Sequence, residues 1–168
     1  MTTIADKLQQ VQHRVAQACE RAGRDPASVL LLAVSKTFGP DAVLEAARAG
    51  QHAFGENYLQ EAVEKMAALR QMGAPTLQWH CIGPVQSNKT RLVAEHFDWM
   101  HTVDRLKVAQ RLSDQRPAHL PPLQVCIQIN VDGGANKSGV APQEALALAQ
   151  SVAVLPQLCL RGLMSIPE

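Results

Sequence analysis

The sequence predicts a parallel α/β fold. Three observations support this prediction: short apolar segments recur along the 168 residues, amphipathic segments separate them, and Gly or Pro residues mark many of the boundaries. Continuous apolar runs are typical of strands buried on both faces, and their strict alternation with helices favours a parallel sheet. The pattern leaves two architectures open, an open doubly wound sheet and a (β/α)8 barrel.

Six strands are expected after an additional N-terminal helix. That helix begins at Thr2 or Thr3 and ends at Gly23, because apolar residues recur on one helical face between them. The strands are predicted at residues 29–34, 52–54, 77–82, 98–103, 123–130 and 158–166. The intervening helices are predicted at residues 41–49, 58–71, 87–96, 105–113 and 142–155.

Turn and cap residues set these boundaries. The first strand, 29–34, follows Asp25-Pro26 and is continuously apolar, which predicts burial on both faces. Gly50 and Gly73 end the next two helices, and Ser87 or Asn88 is expected to cap the helix that follows the third strand. A proline-rich linker, 116–122, leads into the fifth strand.

Composition narrows the classes of function. A chain that is 46% hydrophobic and 18% charged can bury a sizeable core, and its length predicts one domain over residues 1–168. The net charge of +1 argues against a nucleic-acid partner. No apolar stretch reaches the ~18 residues that span a membrane. Four cysteines without a C-x-x-C motif and a polar N-terminus predict free thiols and a cytoplasmic location. The histidines lack zinc-ligand spacing, so no metal site is expected.

Polar residues follow the predicted strands, at the edge where parallel α/β folds bind ligands. Lys36 lies at the end of the first predicted strand, where desolvation would lower the pKa of its ammonium. Part of the lysine would then be a neutral amine, which is the form that attacks aldehydes. A solvated lysine at a strand end is the ordinary alternative. Asn57 follows the second strand and is suited to bind a phenolic oxygen or an imine, to cap the next helix, or to do both.

Two further candidates are less distinctive. His80 lies on the third strand, either facing a bound ring or as a hydrogen-bonded core histidine. Lys137 lies in the glycine-rich segment 132–139, where it either approaches an aldehyde or phosphate or is simply an exposed loop lysine. These residues predict a reactive amine among polar side chains at the carboxyl ends of the strands, but they do not identify a cofactor.

Four segments together resemble the pyridoxal phosphate homeostasis protein family: LLAVSKT at 31–37, FGENY at 54–58, WHCIGPVQSNK at 79–89 and RGLMSIP at 161–167. The resemblance covers the whole chain in order. It implies a (β/α)8 TIM-type barrel of pyridoxal 5′-phosphate (PLP) fold-type III, like the N-terminal domain of bacterial alanine racemase, with about six of its eight strands present.

The resemblance also implies the roles of particular residues. Lys36 would hold PLP as a Schiff base, and Asn57, His80, Met164 and Ser165 match family positions near the cofactor. Lys137 matches a loop lysine linked to a second PLP interaction. The implied function is intracellular PLP homeostasis without an amino-acid reaction, with PLP-dependent apo-enzymes as recipients and a monomeric full-length form.

The chain ends at Glu168, directly after the sixth predicted strand. An incomplete barrel is therefore expected, without the phosphate-binding segment of the last two β-α units, and with weak PLP affinity and marginal stability. Two alternative functions remain. A PLP enzyme of the alanine racemase type needs an acid/base on each face of its substrate, and the TFGP that follows Lys36 differs from the KANAYG racemase pattern. A small-ligand binder without PLP would show no visible chromophore.

Overall fold

The computed structural model describes residues 1–135 and 137–168. Six parallel strands form one sheet in the order β1-β2-β3-β4-β5-β6. The strands are β1 (Ala33–Val34), β2 (Ala53–Glu56), β3 (Gln78–Cys81), β4 (Trp99–Val103), β5 (Leu123–Gln128) and β6 (Leu158–Met164). Their order follows the sequence without the reversal that defines a doubly wound sheet, so the sheet is part of a (β/α) barrel wall.

A helix connects each strand to the next, as predicted. The helices are α1 (Ile4–Arg21), α2 (Pro40–Arg48), α3 (Leu59–Gln71), α4 (Thr90–His96), α5 (Leu106–Gln115) and α6 (Pro142–Ala153). The N-terminal helix α1 begins with a capping box, in which Thr3 and Asp6 each accept a hydrogen bond from the other's backbone N–H. None of the helices in the described ranges has the length and apolar character needed to cross a bilayer.

The core lies between the helices and one face of the sheet. Strand side chains on this face are fully or almost fully buried, including Phe54, Trp79, Cys81, Met100 and Val125. Because side chains alternate along a strand, the intervening residues lie on the opposite face. Over β3, β4 and β5 that inner face carries the polar side chains of Gln78, His80, His101 and Gln124, together with the ring of Trp99.

Two local predictions are wrong. The first strand is only Ala33–Val34, and the side chains of 29–34 are half-buried or exposed, with Val34 50% exposed. Among the described strands β1 pairs only with β2, so its inner face lacks the neighbours that bury a central strand. Neither Ser87 nor Asn88 caps α4, since both belong to a 3₁₀ turn before it and Lys89 occupies the N-cap position.

Candidate functional site

Lys36 lies in a tight turn directly after β1. The turn is closed by a hydrogen bond from the backbone N–H of Phe38 to the carbonyl of Ser35 (3.1 Å). The side chain of Lys36 is exposed, so the predicted desolvation of its amine is wrong. The reason is the position of β1 at the edge of the described sheet, which leaves the end of this strand open to water.

A buried ion pair lies beneath this turn. Glu56, at the end of β2, is fully buried, and Lys65 of α3 is 4% exposed. The Lys65 ammonium donates to both Glu56 carboxylate oxygens (3.0 Å each) and to the backbone carbonyl of Ser35 (2.8 Å). The Ser35 hydroxyl donates a hydrogen bond to the same carboxylate. These contacts satisfy the charge pair, as burial requires.

Glu61 extends this network to the other side of the turn. Its Oε1 accepts from the Lys65 ammonium (3.1 Å) and from the backbone N–H of Thr37 (2.8 Å). The hydrogen bond from Lys65 lowers the pKa of Glu61, and the Thr37 N–H acts in the same direction. Thr37 has φ = 67°, in the left-handed region that β-branched residues rarely occupy. Both neighbours of Lys36 are therefore held by buried or half-buried charges.

Asn57 follows Glu56 and has an unsatisfied acceptor. Its Oδ1 is buried without a hydrogen-bond partner in the part of the chain that the structure describes. Asn57 does not cap α3, because Tyr58 holds the N-cap position. Gly83 packs closely against it, since a Cβ on Gly83 would lie 2.9 Å from the Cα of Asn57. A buried acceptor without a partner is uncommon in proteins and is suited to accept a ligand's hydrogen bond.

A cavity of about 680 Å³ lies at the carboxyl ends of β2 to β5. Its volume falls within the range of small-molecule sites. Most of the residues that line it are polar or charged, and they include Asn57, Tyr58, Gln86, Lys89, Thr102, Asp104, Arg105, Gln128 and Ser138. Lys36 does not line this cavity.

Lys137 lines a smaller cavity of about 160 Å³ that shares Pro84, Thr102, Gln128 and Ser138 with the larger one. Its ammonium pairs with Asp132 (2.8 Å) and Glu168 (3.5 Å), and 29% of its side chain is exposed. The hydrogen bond from Lys137 lowers the pKa of Asp132. Lys137 is therefore half-buried and paired, which differs from the exposed loop lysine that was one of its two alternatives. Of the loop predicted at 132–139, Asn136 lies outside the described residues.

His80 lies on the inner face and is buried. Its Nδ1 contacts His101 Nε2 and its Nε2 contacts Gln78 Oε1, both at 2.8 Å, while its ring stacks on Trp99 at 5.2 Å. Burial, and secondarily the neighbouring His101, lowers the pKa of His80 to about 4. Both ring nitrogens are occupied, so any cofactor contact would use the ring surface. His80 is in register with Gly55, at the level of Val34.

Met164 ends β6 beside Gln128, and its carbonyl accepts from the N–H of Ile129 (2.8 Å). Ser165, the next residue, is exposed. Five of the six candidate residues lie at or after the carboxyl ends of strands, namely Lys36, Asn57, Lys137, Met164 and Ser165. The sixth, His80, lies within β3, one residue before its end. Among the described residues, no three His, Cys, Asp or Glu side chains are grouped to hold a metal ion.

Sequence reasoning missed Lys65 and Glu61. A signal was present, because Lys65 lies three residues after Ala62 and four before Leu69, on the buried face of α3. A lysine on a buried helical face needs an anionic partner, and the structure shows that this partner is the fully buried Glu56.

Comparison with known proteins assigns the class of this fold and site. The family described as alanine racemase, N-terminal domain, matches residues 7–168. Alanine racemase from Corynebacterium glutamicum has the same fold, with a TM-score of 0.60, 21% identity and coverage of 94% of this chain and 43% of the racemase. The chain is therefore an α/β barrel-type domain of the alanine racemase N-terminal class.

Closer relatives define the family within that class. The Pyridoxal phosphate homeostasis protein of Pseudomonas aeruginosa is 61% identical over 168 residues, which are 100% of this chain and 72% of the relative. PipY of Synechococcus elongatus, solved with PLP bound, has a TM-score of 0.75 and 37% identity over 91% of this chain and 70% of its own. The chain belongs to the pyridoxal phosphate homeostasis protein family.

Proposed function

We propose that this chain binds PLP as a Schiff base on Lys36 and serves in intracellular PLP homeostasis. The observation that carries the proposal is the turn that contains Lys36. The buried pair of Glu56 and Lys65 contacts this turn through the Ser35 carbonyl, at the end of the sheet where ligands bind in such folds. The solved complex of PipY with PLP supports the choice of cofactor.

The described residues suit this cofactor. PLP supplies an aldehyde, and its condensation with the Lys36 amine releases one water. The unpartnered Oδ1 of Asn57 supports the proposed contact, because it would accept a hydrogen bond from a donor group of the cofactor. Lys89 and Arg105 line the large cavity beside Asp104, which pairs with Arg105 (3.7 Å), so one net positive charge remains there. Met164, Ser165, His80 and Lys137 remain proposed contacts.

The proposed role is to hold and supply the cofactor, with no amino-acid reaction. The homeostasis name of relatives at up to 61% identity supports this role. PLP-dependent apo-enzymes would receive the cofactor. The full-length form is proposed to be a monomer in the cytoplasm, where the four free cysteines would stay reduced. The alternative, an alanine racemase-type enzyme, predicts that the PLP-loaded chain converts L-alanine into D-alanine.

The test is covalent labelling of Lys36. The purified chain is mixed with PLP, scanned for visible absorbance, reduced with borohydride and mapped by peptide mass spectrometry. Lys36→Ala should lose the chromophore, while Lys107→Ala, at an exposed lysine of α5, should keep it. Lys137→Ala should retain the Lys36 label and alter only the rate of PLP uptake or release. A chromophore that survives Lys36→Ala would refute the assignment.

A further inference from the structure

We propose that Glu61 and Lys65, both on α3, are positioning residues for Lys36. They fix the backbone of the turn on both sides of Lys36, and so determine where its amine points. This inference rests on the proposed function, because it assigns Lys36 as the point of PLP attachment.

The residue before Lys36 is held through three groups. The N–H of Ser35 donates to the carbonyl of Gly55 (2.9 Å), its carbonyl accepts from the Lys65 ammonium (2.8 Å), and its hydroxyl donates to Glu56. Ser35 is 4% exposed, so water does not compete for these bonds. A charged donor to a buried carbonyl is stronger than a neutral one.

The residue after Lys36 is held in an uncommon conformation. Thr37 has φ = 67°, and its N–H donates to Glu61 Oε1 (2.8 Å). A β-branched residue in the left-handed region is strained, and such a conformation persists only where surrounding contacts enforce it. Glu61 supplies that contact from α3, an element that lies outside the turn.

Lys65 links the two sides. Its ammonium contacts the Ser35 carbonyl and Glu61 Oε1 (3.1 Å), so one buried cation joins the residue before Lys36 to the carboxylate that holds the residue after it. The side chain of Lys36 is exposed and makes no hydrogen bond within the described residues. Its orientation therefore depends on this backbone, and a fixed backbone lowers the entropic cost of binding.

The experiment compares three variants of the full chain: Glu61→Ala, Glu61→Gln and, as a control, Glu64→Ala on the exposed face of the same helix. Glu61→Ala removes the acceptor for the Thr37 N–H, whereas Glu61→Gln keeps a neutral oxygen there. PLP affinity is titrated by absorbance, the label is mapped after borohydride reduction, and amide exchange of residues 35–38 is measured without PLP.

Glu61→Ala should bind PLP about tenfold more weakly and exchange the Thr37 amide faster, while it keeps the melting behaviour of the unaltered chain. Glu61→Gln should recover part of both properties, and Glu64→Ala should match the unaltered chain. Equal PLP affinity in Glu61→Ala and the unaltered chain would overturn the inference while leaving Lys36 as the attachment point. An unaltered chain without label on Lys36 would overturn the proposed function, and the inference with it.

Discussion

The ion pair between Glu56 and Lys65 predicts that removing the lysine alone destabilises the fold more than removing both charges. Their side chains are 0% and 3% exposed. Lys65→Met leaves the Glu56 carboxylate with the Ser35 hydroxyl as its remaining hydrogen-bond partner in the described structure. Breaking a buried pair in this way costs about 3–5 kcal/mol. That loss is a large fraction of the ~5–15 kcal/mol that stabilises a domain.

The double variant Lys65→Met/Glu56→Leu removes the uncompensated charge. Relative to the unaltered chain, the double variant loses the hydrogen bonds from Lys65 to the Ser35 carbonyl and to Glu61, and the hydrogen bond from the Ser35 hydroxyl to Glu56, but it leaves no charge of the pair buried and unpaired. The Ser35 carbonyl still accepts from the N–H of Phe38. The double variant should therefore be about 2 kcal/mol more stable than Lys65→Met.

Urea unfolding at neutral pH, followed by far-ultraviolet circular dichroism, measures these free energies. Lys107→Met is the matched control, since it makes the same change at an exposed lysine and should shift stability by less than about 0.5 kcal/mol. A double variant less stable than Lys65→Met, or a cost below about 1 kcal/mol for Lys65→Met alone, would show that the pair is not desolvated as described.

Two further predictions concern packing and pH. Gly83→Ala should destabilise the fold by about 1–3 kcal/mol, because its Cβ would meet the Asn57 backbone at 2.9 Å. Gly162→Ala is the control, since a Cβ there would have no atom within 4 Å and would cause no clash. Thermal melting of the two variants measures the difference. His80 has a pKa of about 4 in place of 6.5, so its neutral form stabilises the fold at neutral pH, and this contribution is lost as pH falls from 6.5 towards 4. Between about pH 7 and about pH 4.5 the free energy of unfolding, measured by urea titration, should fall by about 2–3 kcal/mol because of His80. The fall should be smaller in His80→Gln, and equal acid sensitivity in both proteins would contradict this account.

The sequence could predict those residues of the candidate site whose location depends only on where a strand ends. Lys36 and Asn57 could be assigned to the carboxyl edge because strand ends are readable from apolar runs and turn residues, whereas Met164 was identified only through the family resemblance. The partners of His80 could not be predicted, since its contact with His101 depends on the register between β3 and β4. The same limit applies to Lys137, whose pairing with Glu168 joins a loop to the last residue of the chain.

The sequence by itself determined the alternation of helices and strands, the parallel sheet and the place of Lys36 after the first strand, because hydrophobic periodicity and turn residues act locally. The tertiary structure alone decided how that lysine is held. Glu56 and Lys65 lie nine residues apart, and they meet the Ser35 turn only because β2 pairs with β1 and α3 packs beside them. Burial then makes their charges dependent on one another, which a linear pattern of residue types does not encode.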